Sequence, residues 1–182
     1  KGKIYITSHE PIGVLYGAYH LLSLQQTNQS INGINIQEIP SYNIRILNHW
    51  DNLDRTVERG YAGYSLWWWE ELPHVISPRY EEYARANASI GINATVLNNV
   101  NASPEILSSE YITKVKALAA IFRKYGIKVY LSVNFSSPKV LDGLVDSDPV
   151  RPEVQSWWKE KVKEIYKEIP DFGGFLVKAK SE

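Results

Sequence analysis

A carboxylate and two lysines lie close together near the end of the chain, in the segment Leu176-Val-Lys-Ala-Lys-Ser-Glu182. Glu182 follows an apolar stretch by a few residues, a position that makes it a candidate catalytic carboxylate, for example the acid of a glycosidase. Such an acid must be protonated near neutral pH. Burial or a neighbouring anion raises its pKa, whereas Lys178 and Lys180 would lower it. An anionic substrate held by Lys178 would partly cancel the effect of the lysines.

Polar residues also follow two earlier apolar segments, as Asn48-His-Trp-Asp-Asn52 and Asn98-Asn-Val-Asn101. Trp50 offers a flat apolar face beside polar neighbours, which suits stacking on a sugar ring and suits core packing equally well. His49 has two interpretations of equal weight: a histidine hydrogen-bonded into the framework, or a residue that contacts the substrate.

Several other chemistries have no support in the sequence. Without cysteine there is no disulfide framework and no thiolate metal site, and the four histidines lack metal-binding spacing. No nucleotide-binding glycine motif and no serine nucleophile elbow is present. Twenty basic and twenty acidic side chains give no reason to expect nucleic acid or an anionic membrane as a partner. We therefore predict no metal, no cofactor and no membrane span.

Strand and helix patterns alternate after Pro40, and this alternation predicts a parallel α/β sheet. Strands are expected at 43–48, 92–100, 128–135 and 173–178, with helices at 79–89, 110–125 and after Pro152. The sheet is either open and doubly wound or a (β/α)8 TIM barrel, and the polar residues after each strand favour the barrel. A barrel needs about 250 residues, so residues 41–182 are expected to form its first four βα units.

Residues 1–40 predict one helix, at 13–24, between two short strands at 3–7 and 34–39. So small a unit cannot bury its own apolar faces, so we interpret it as the tail of a small α/β domain whose beginning is missing. The absence of an initiating methionine fits this interpretation. The run from Trp67 to Trp69 cannot face inward as a whole, which is compatible with a homodimer interface.

Four segments resemble, in order and spacing, the α-glucuronidases of glycoside hydrolase family 67: Asn48-His-Trp-Asp-Asn-Leu-Asp54, Glu58-Arg-Gly-Tyr-Ala-Gly63, Val96-Leu-Asn-Asn-Val-Asn-Ala102 and Asp171-Phe-Gly-Gly-Phe-Leu-Val-Lys-Ala179. The resemblance covers nearly all of residues 40–182. The segment 16–22 resembles the end of the small domain that precedes the barrel in that family.

This resemblance implies hydrolysis, with inversion, of α-1,2-linked glucuronic acid or 4-O-methylglucuronic acid from xylo-oligosaccharides during xylan degradation. It implies that Glu182 is the general acid and that Lys178 binds the uronate carboxylate. Trp50 and Val100 match residues that shape the sugar pocket. The remaining candidate substrate-binding residues are carried over as their neighbours: His49, Asp51 and Asn99.

Two features depart from the family pattern or lie beyond the chain. Lys180 occupies a position where the family usually has asparagine, and the second carboxylate that inversion needs is expected beyond residue 182. The fragment alone is therefore expected to be inactive. Two alternatives are a hexosaminidase-like barrel glycosidase and a non-catalytic carbohydrate-binding protein. The expected location is the bacterial cytoplasm or periplasm.

Overall fold

The computed structural model describes residues 2–178, and these form a parallel four-stranded sheet with connecting helices. In chain order the elements are α1 (Pro11–Gln26), β1 (Ile46–Asn48), α2 (Pro78–Ser89), β2 (Ala94–Val96), a 3-10 helix (Pro104–Leu107), α3 (Ser109–Arg123), β3 (Lys128–Ser132), α4 (Ser137–Asp142), α5 (Pro152–Glu168) and β4 (Gly174–Leu176). The predicted α/β class with a parallel sheet is confirmed.

The strands lie side by side in the order in which they occur along the chain, β1-β2-β3-β4, and all are parallel. Thr95 pairs with Val129, so these two side chains share a face of the sheet. That face carries the core, because Val129 and Leu131 pack in one apolar cluster with residues of α3. Because all four strands are parallel, their carboxyl ends lie along one edge of the sheet.

Helix α3 shows why the sequence folds in this way. The Ser108 side chain accepts a hydrogen bond from the Tyr111 amide and caps the helix start. Val115, Leu118 and Phe122 recur at helical spacing and are fully buried, as their periodicity predicts. After the helix, Gly126 turns the chain with φ +68, a conformation that favours glycine.

The two strands expected at 3–7 and 34–39 are absent, since both segments are irregular. Alternating apolar residues form a strand only where a neighbour completes the hydrogen-bond ladder, and within residues 2–178 neither segment has one. Helix α1 does form. Its Ile12 packs beside Gly126 and its Tyr16 lies under the Arg45 guanidinium, so α1 sits near the amino ends of the strands. The division at residues 40 and 41 stays a prediction.

The three consecutive tryptophans divide between the core and the surface. Trp67 and Trp69 are fully buried, whereas Trp68 is 40% exposed and stacks against the Arg55 guanidinium. The expectation that the run cannot face inward as a whole is confirmed.

Candidate active site

The loop after β1 folds back on itself and forms a small hydrogen-bonded hairpin at the carboxyl edge of the sheet. The Asn52 amide donates to the Thr56 carbonyl at 2.8 Å, and the Glu58 amide donates to the Trp50 carbonyl at 2.8 Å. A second pairing follows, in which the Ser65 amide donates to the Arg55 carbonyl at 2.7 Å. The loop is therefore a hydrogen-bonded structure in which the Glu58 amide holds the Trp50 backbone in place.

Asn99, at the end of β2, fastens this loop to the sheet. Its side-chain amide donates to Asn52 Oδ1 and to the Glu58 carbonyl, each at 3.0 Å, and its Oδ1 accepts from the Asn101 amide at 2.9 Å. Its backbone amide donates to the Asp51 carbonyl at 2.8 Å. Asn99 is 2% exposed, so its polar groups are occupied within the protein and its local effect is to position the loop.

His49 is also held by the framework. Its Nε2 lies 2.5 Å from the Tyr83 hydroxyl and its Nδ1 lies 3.4 Å from Asp51 Oδ1. Burial raises the pKa of the Tyr83 hydroxyl, and this hydroxyl and the Asp51 carboxylate occupy the two ring nitrogens of His49. Asp51 is 4% exposed and also accepts from the Ser65 hydroxyl at 2.6 Å. The geometry favours the framework interpretation of His49.

The accessible groups at this edge are Trp50, Val100, Asn101 and Lys178. Trp50 is 39% exposed, Val100 is half-buried, and Lys178 and Asn101 are exposed. Lys178 Nζ donates to Asn101 Oδ1 at 3.3 Å, which connects the end of β4 to the end of β2. Because Asn101 is neutral, this contact does not cancel the charge of Lys178, and the ammonium can still attract an anion.

Glu58 also belongs to this edge, although it was not among the predicted site residues. Its side chain is only 16% exposed, and its backbone has a left-handed φ of 61°. The available signal was its position in the segment 58–63, one of the four that carry the family resemblance. Its location depends on hydrogen bonds from Asn52 and Asn99, which local sequence patterns do not reveal.

The structure thus brings six of the seven predicted site residues to one edge of the sheet. Glu182, the predicted acid, lies outside the described residues, as does Lys180. Within residues 2–178, no group of three histidine, aspartate or glutamate side chains is arranged to hold a metal ion. In the same range no helix has the length and apolar character of a membrane span.

In parallel α/β sheets the ligand-binding residues lie at the carboxyl ends of the strands, and this is the edge at which the chain carries Trp50, Asn101 and Lys178. The family model described as glycosyl hydrolase family 67 middle domain matches residues 24–182. The chain belongs to this family.

Fungal proteins resemble the chain over almost its whole length. It is 43% identical over 183 residues to a probable alpha-glucuronidase A of Aspergillus clavatus, a match that covers 100% of the chain and 21% of that protein. It is 41% identical over 184 residues to alpha-glucuronidase A of Emericella nidulans, covering 98% of the chain and 22% of the relative. The chain therefore spans about a fifth of the length of the curated relatives it matches.

These relatives correct the expected location. A bacterial cytoplasm or periplasm was predicted from the resemblance, and this prediction is wrong because the similar proteins are fungal. The resemblance identified the family correctly, but the four segments that carry it contain no information about where in or outside the cell the protein acts.

Proposed function

We propose that the full-length protein hydrolyses α-1,2-linked glucuronic acid, or its 4-O-methyl ether, from xylo-oligosaccharides. The family and the names of its relatives support this activity. The observation that carries it to this chain is the presence of a cation, Lys178, and an exposed aromatic ring, Trp50, at the same carboxyl edge of the sheet. A cation and an aromatic face suit a sugar that bears a carboxylate.

We propose further that the sheet is half of a (β/α)8 barrel. Its strands follow one another without a reversal of order, as they do around a barrel, whereas doubly wound open sheets reverse at a switch point. Within the described residues, β1 and β4 each pair on one side only, so both leave an edge for further strands. The greater length of the relatives leaves room for those strands.

In the proposed reaction Glu182 protonates the leaving xylose oxygen while Lys178 holds the uronate carboxylate. Trp50 stacks on the sugar ring, and Val100 lies near the 4-position of the ring. A second carboxylate, supplied by chain beyond residue 182, activates water on the opposite face at a separation of about 6.5–9.5 Å, which produces inversion.

The experiment uses the full-length protein and aldouronic acids, with glucuronic acid release as the readout. Glu182→Gln should abolish most of the release, because glutamine cannot donate the proton. Proton NMR of the first product should show the β-anomer if the reaction inverts. Near-normal release by Glu182→Gln would remove Glu182 from this function, and binding of the oligosaccharide without any release by the wild type would favour a carbohydrate-binding protein.

Recognition of the uronate carboxylate has its own test. We expect Lys178→Met to raise KM for the acidic substrate while having little effect on an analogue whose carboxylate is reduced to an alcohol. The matched control is Lys159→Met, an exposed lysine on α5. Equal losses on both substrates would contradict a specific contact between Lys178 and the carboxylate.

Family membership favours an α-glucuronidase over the hexosaminidase-like alternative. A homodimer remains a separate proposal, with Trp68 as its candidate contact. Light scattering on the full-length protein and on Trp68→Ala tests it, since loss of dimer mass in the variant is expected if this side chain forms the interface.

A further inference from the structure

The backbone at Glu58 is held in a conformation that a glutamate rarely adopts. A φ of 61° places it in the left-handed region, which is strained for a residue with a side chain. Three hydrogen bonds maintain it: its amide donates to the Trp50 carbonyl, and its carbonyl accepts from Asn52 Nδ2 at 2.9 Å and Asn99 Nδ2 at 3.0 Å. Backbone strain maintained in this way is concentrated at ligand-binding and catalytic sites.

The Glu58 carboxylate is largely buried but only weakly engaged. Within residues 2–178, its contacts are with the Tyr61 hydroxyl at 3.4 Å and with Arg59 Nε at 3.7 Å, both long. An ionised carboxylate has about four acceptor positions, so most of its hydrogen-bonding capacity is unused. A mostly desolvated anion of this kind gains most from a ligand that brings hydroxyl donors.

The location of Glu58 indicates which part of a bound uronate lies next to its carboxylate. Its amide is bonded to the Trp50 carbonyl, so the carboxylate belongs to the same part of the loop as the exposed indole ring. The Glu58 carboxylate repels the carboxylate of a uronic acid, although the exposed Arg59 guanidinium 3.7 Å away screens part of this repulsion. Lys178 attracts that carboxylate from the end of β4, on the other side of the β2 strand end. The two charges together orient a uronate with its acidic end towards β4.

We propose that the Glu58 carboxylate accepts hydrogen bonds from ring hydroxyls of the bound glucuronate and so fixes the orientation of the sugar opposite Lys178. This inference rests on the proposed function and adds a specificity-determining residue to it. Asn99 and Asn52 act through Glu58, because they hold its backbone in the left-handed conformation and do not themselves need to contact the sugar.

Glu58→Gln in the full-length protein tests the contact, because glutamine keeps the shape of the side chain and removes its charge. We expect kcat/KM for aldouronic acids to fall by about 10- to 100-fold, the range for hydrogen bonds to a charged group. An analogue that lacks the ring hydroxyl bound by Glu58 should be a poor substrate for the wild type. For Glu58→Gln, the same analogue should lower kcat/KM little further, because the variant has already lost that contact.

Two further variants separate binding from folding. Glu58→Asn places a residue that tolerates the left-handed region, so it should keep or raise the melting temperature while activity falls. Tyr61→Phe removes the 3.4 Å tyrosine contact and should change kcat/KM by less than about threefold, the effect of a weak hydrogen bond. Loss of activity together with loss of amide protection across residues 51–65 would instead assign Glu58 a purely structural role.

The outcomes distinguish this inference from the proposed function. Normal activity of Glu58→Gln in an enzyme that releases glucuronic acid overturns the inference alone. If the wild type releases none, the proposed function fails, and NMR titration of wild type and Glu58→Gln with glucuronate then decides the inference by itself. Equal affinities in that titration overturn it, and weaker binding by the variant supports it.

Discussion

Replacing Asn99 with alanine should loosen the loop after β1 without disturbing the sheet below it. The substitution removes three side-chain hydrogen bonds, to Asn52 Oδ1, to the Glu58 carbonyl and from the Asn101 amide. The first two of these bonds join Asn99 to the loop, and at about 0.5–1.5 kcal/mol each their loss should lower the local opening free energy of the loop by about 1–3 kcal/mol. That change corresponds to roughly 5- to 150-fold faster amide exchange where exchange requires the loop to open.

Hydrogen exchange on the full-length protein measures this effect at defined amides. The informative ones are Glu58, bonded to Trp50, and Ser65, bonded to Arg55, since both bonds lie within the loop. The activity should fall as well, because Glu58 and Trp50 lose their fixed positions.

Asn98→Ala is the matched control. Asn98 is also 2% exposed, and its side chain exchanges two hydrogen bonds with the backbone of Ser132, at 3.0 and 2.9 Å. It therefore ties β2 to β3 and not to the loop. Its removal should cost stability at the strand ends but leave protection across residues 51–65 near the wild-type level. Equal loss of loop protection in both variants, or no loss in Asn99→Ala, would refute the reasoning.

Three further predictions concern stability. The hydrogen bond from Arg123 lowers the pKa of Asp171, so this pair stabilises the fold above about pH 4 and the contribution is lost as the pH falls below that value. Asp171→Asn should accordingly cost up to about 1 kcal/mol at neutral pH, and urea titrations at low pH should show the difference disappear. Trp67→Phe should lower the free energy of unfolding by about 2–4 kcal/mol in the same titration, because it leaves a cavity in the core and removes the indole donor to the Leu97 carbonyl. The control Trp68→Phe, at the surface, should lower it by less than about 1 kcal/mol. Tyr83→Phe should cost about 1 kcal/mol by the same titration, because it leaves His49 Nε2 without its hydroxyl partner.

The sequence predicted those parts of the fold that local patterns control. The inner face of α3 follows from the spacing of Val115, Leu118 and Phe122, and the parallel sheet follows from strands that alternate with helices. The segments 3–7 and 34–39 show the same alternation as true strands but have no partner within the described residues. Alternation records which side chains are apolar, and it carries no information about whether a neighbouring strand exists.

The candidate site divides in the same way. Trp50 and Lys178 were predicted because their types suggest sugar and carboxylate binding, and both lie at the carboxyl edge. Glu58 was missed because its conformation depends on Asn99, a residue 41 positions later in the chain. A bond between distant residues leaves no local pattern, so a strained residue that it maintains resembles any other charged residue of a loop.

The hydrogen bonds between Asn99 and the loop after β1 affect how segments can be exchanged between members of the family. Exchange of residues 49–65 between two members of the family carries Trp50 and Glu58 across but leaves behind the amide that holds them. The hairpin and the end of β2 therefore form one structural unit, although two separate segments of the sequence encode it. Chimeras that split the stretches should recover activity when the matching β2 end is moved with its hairpin.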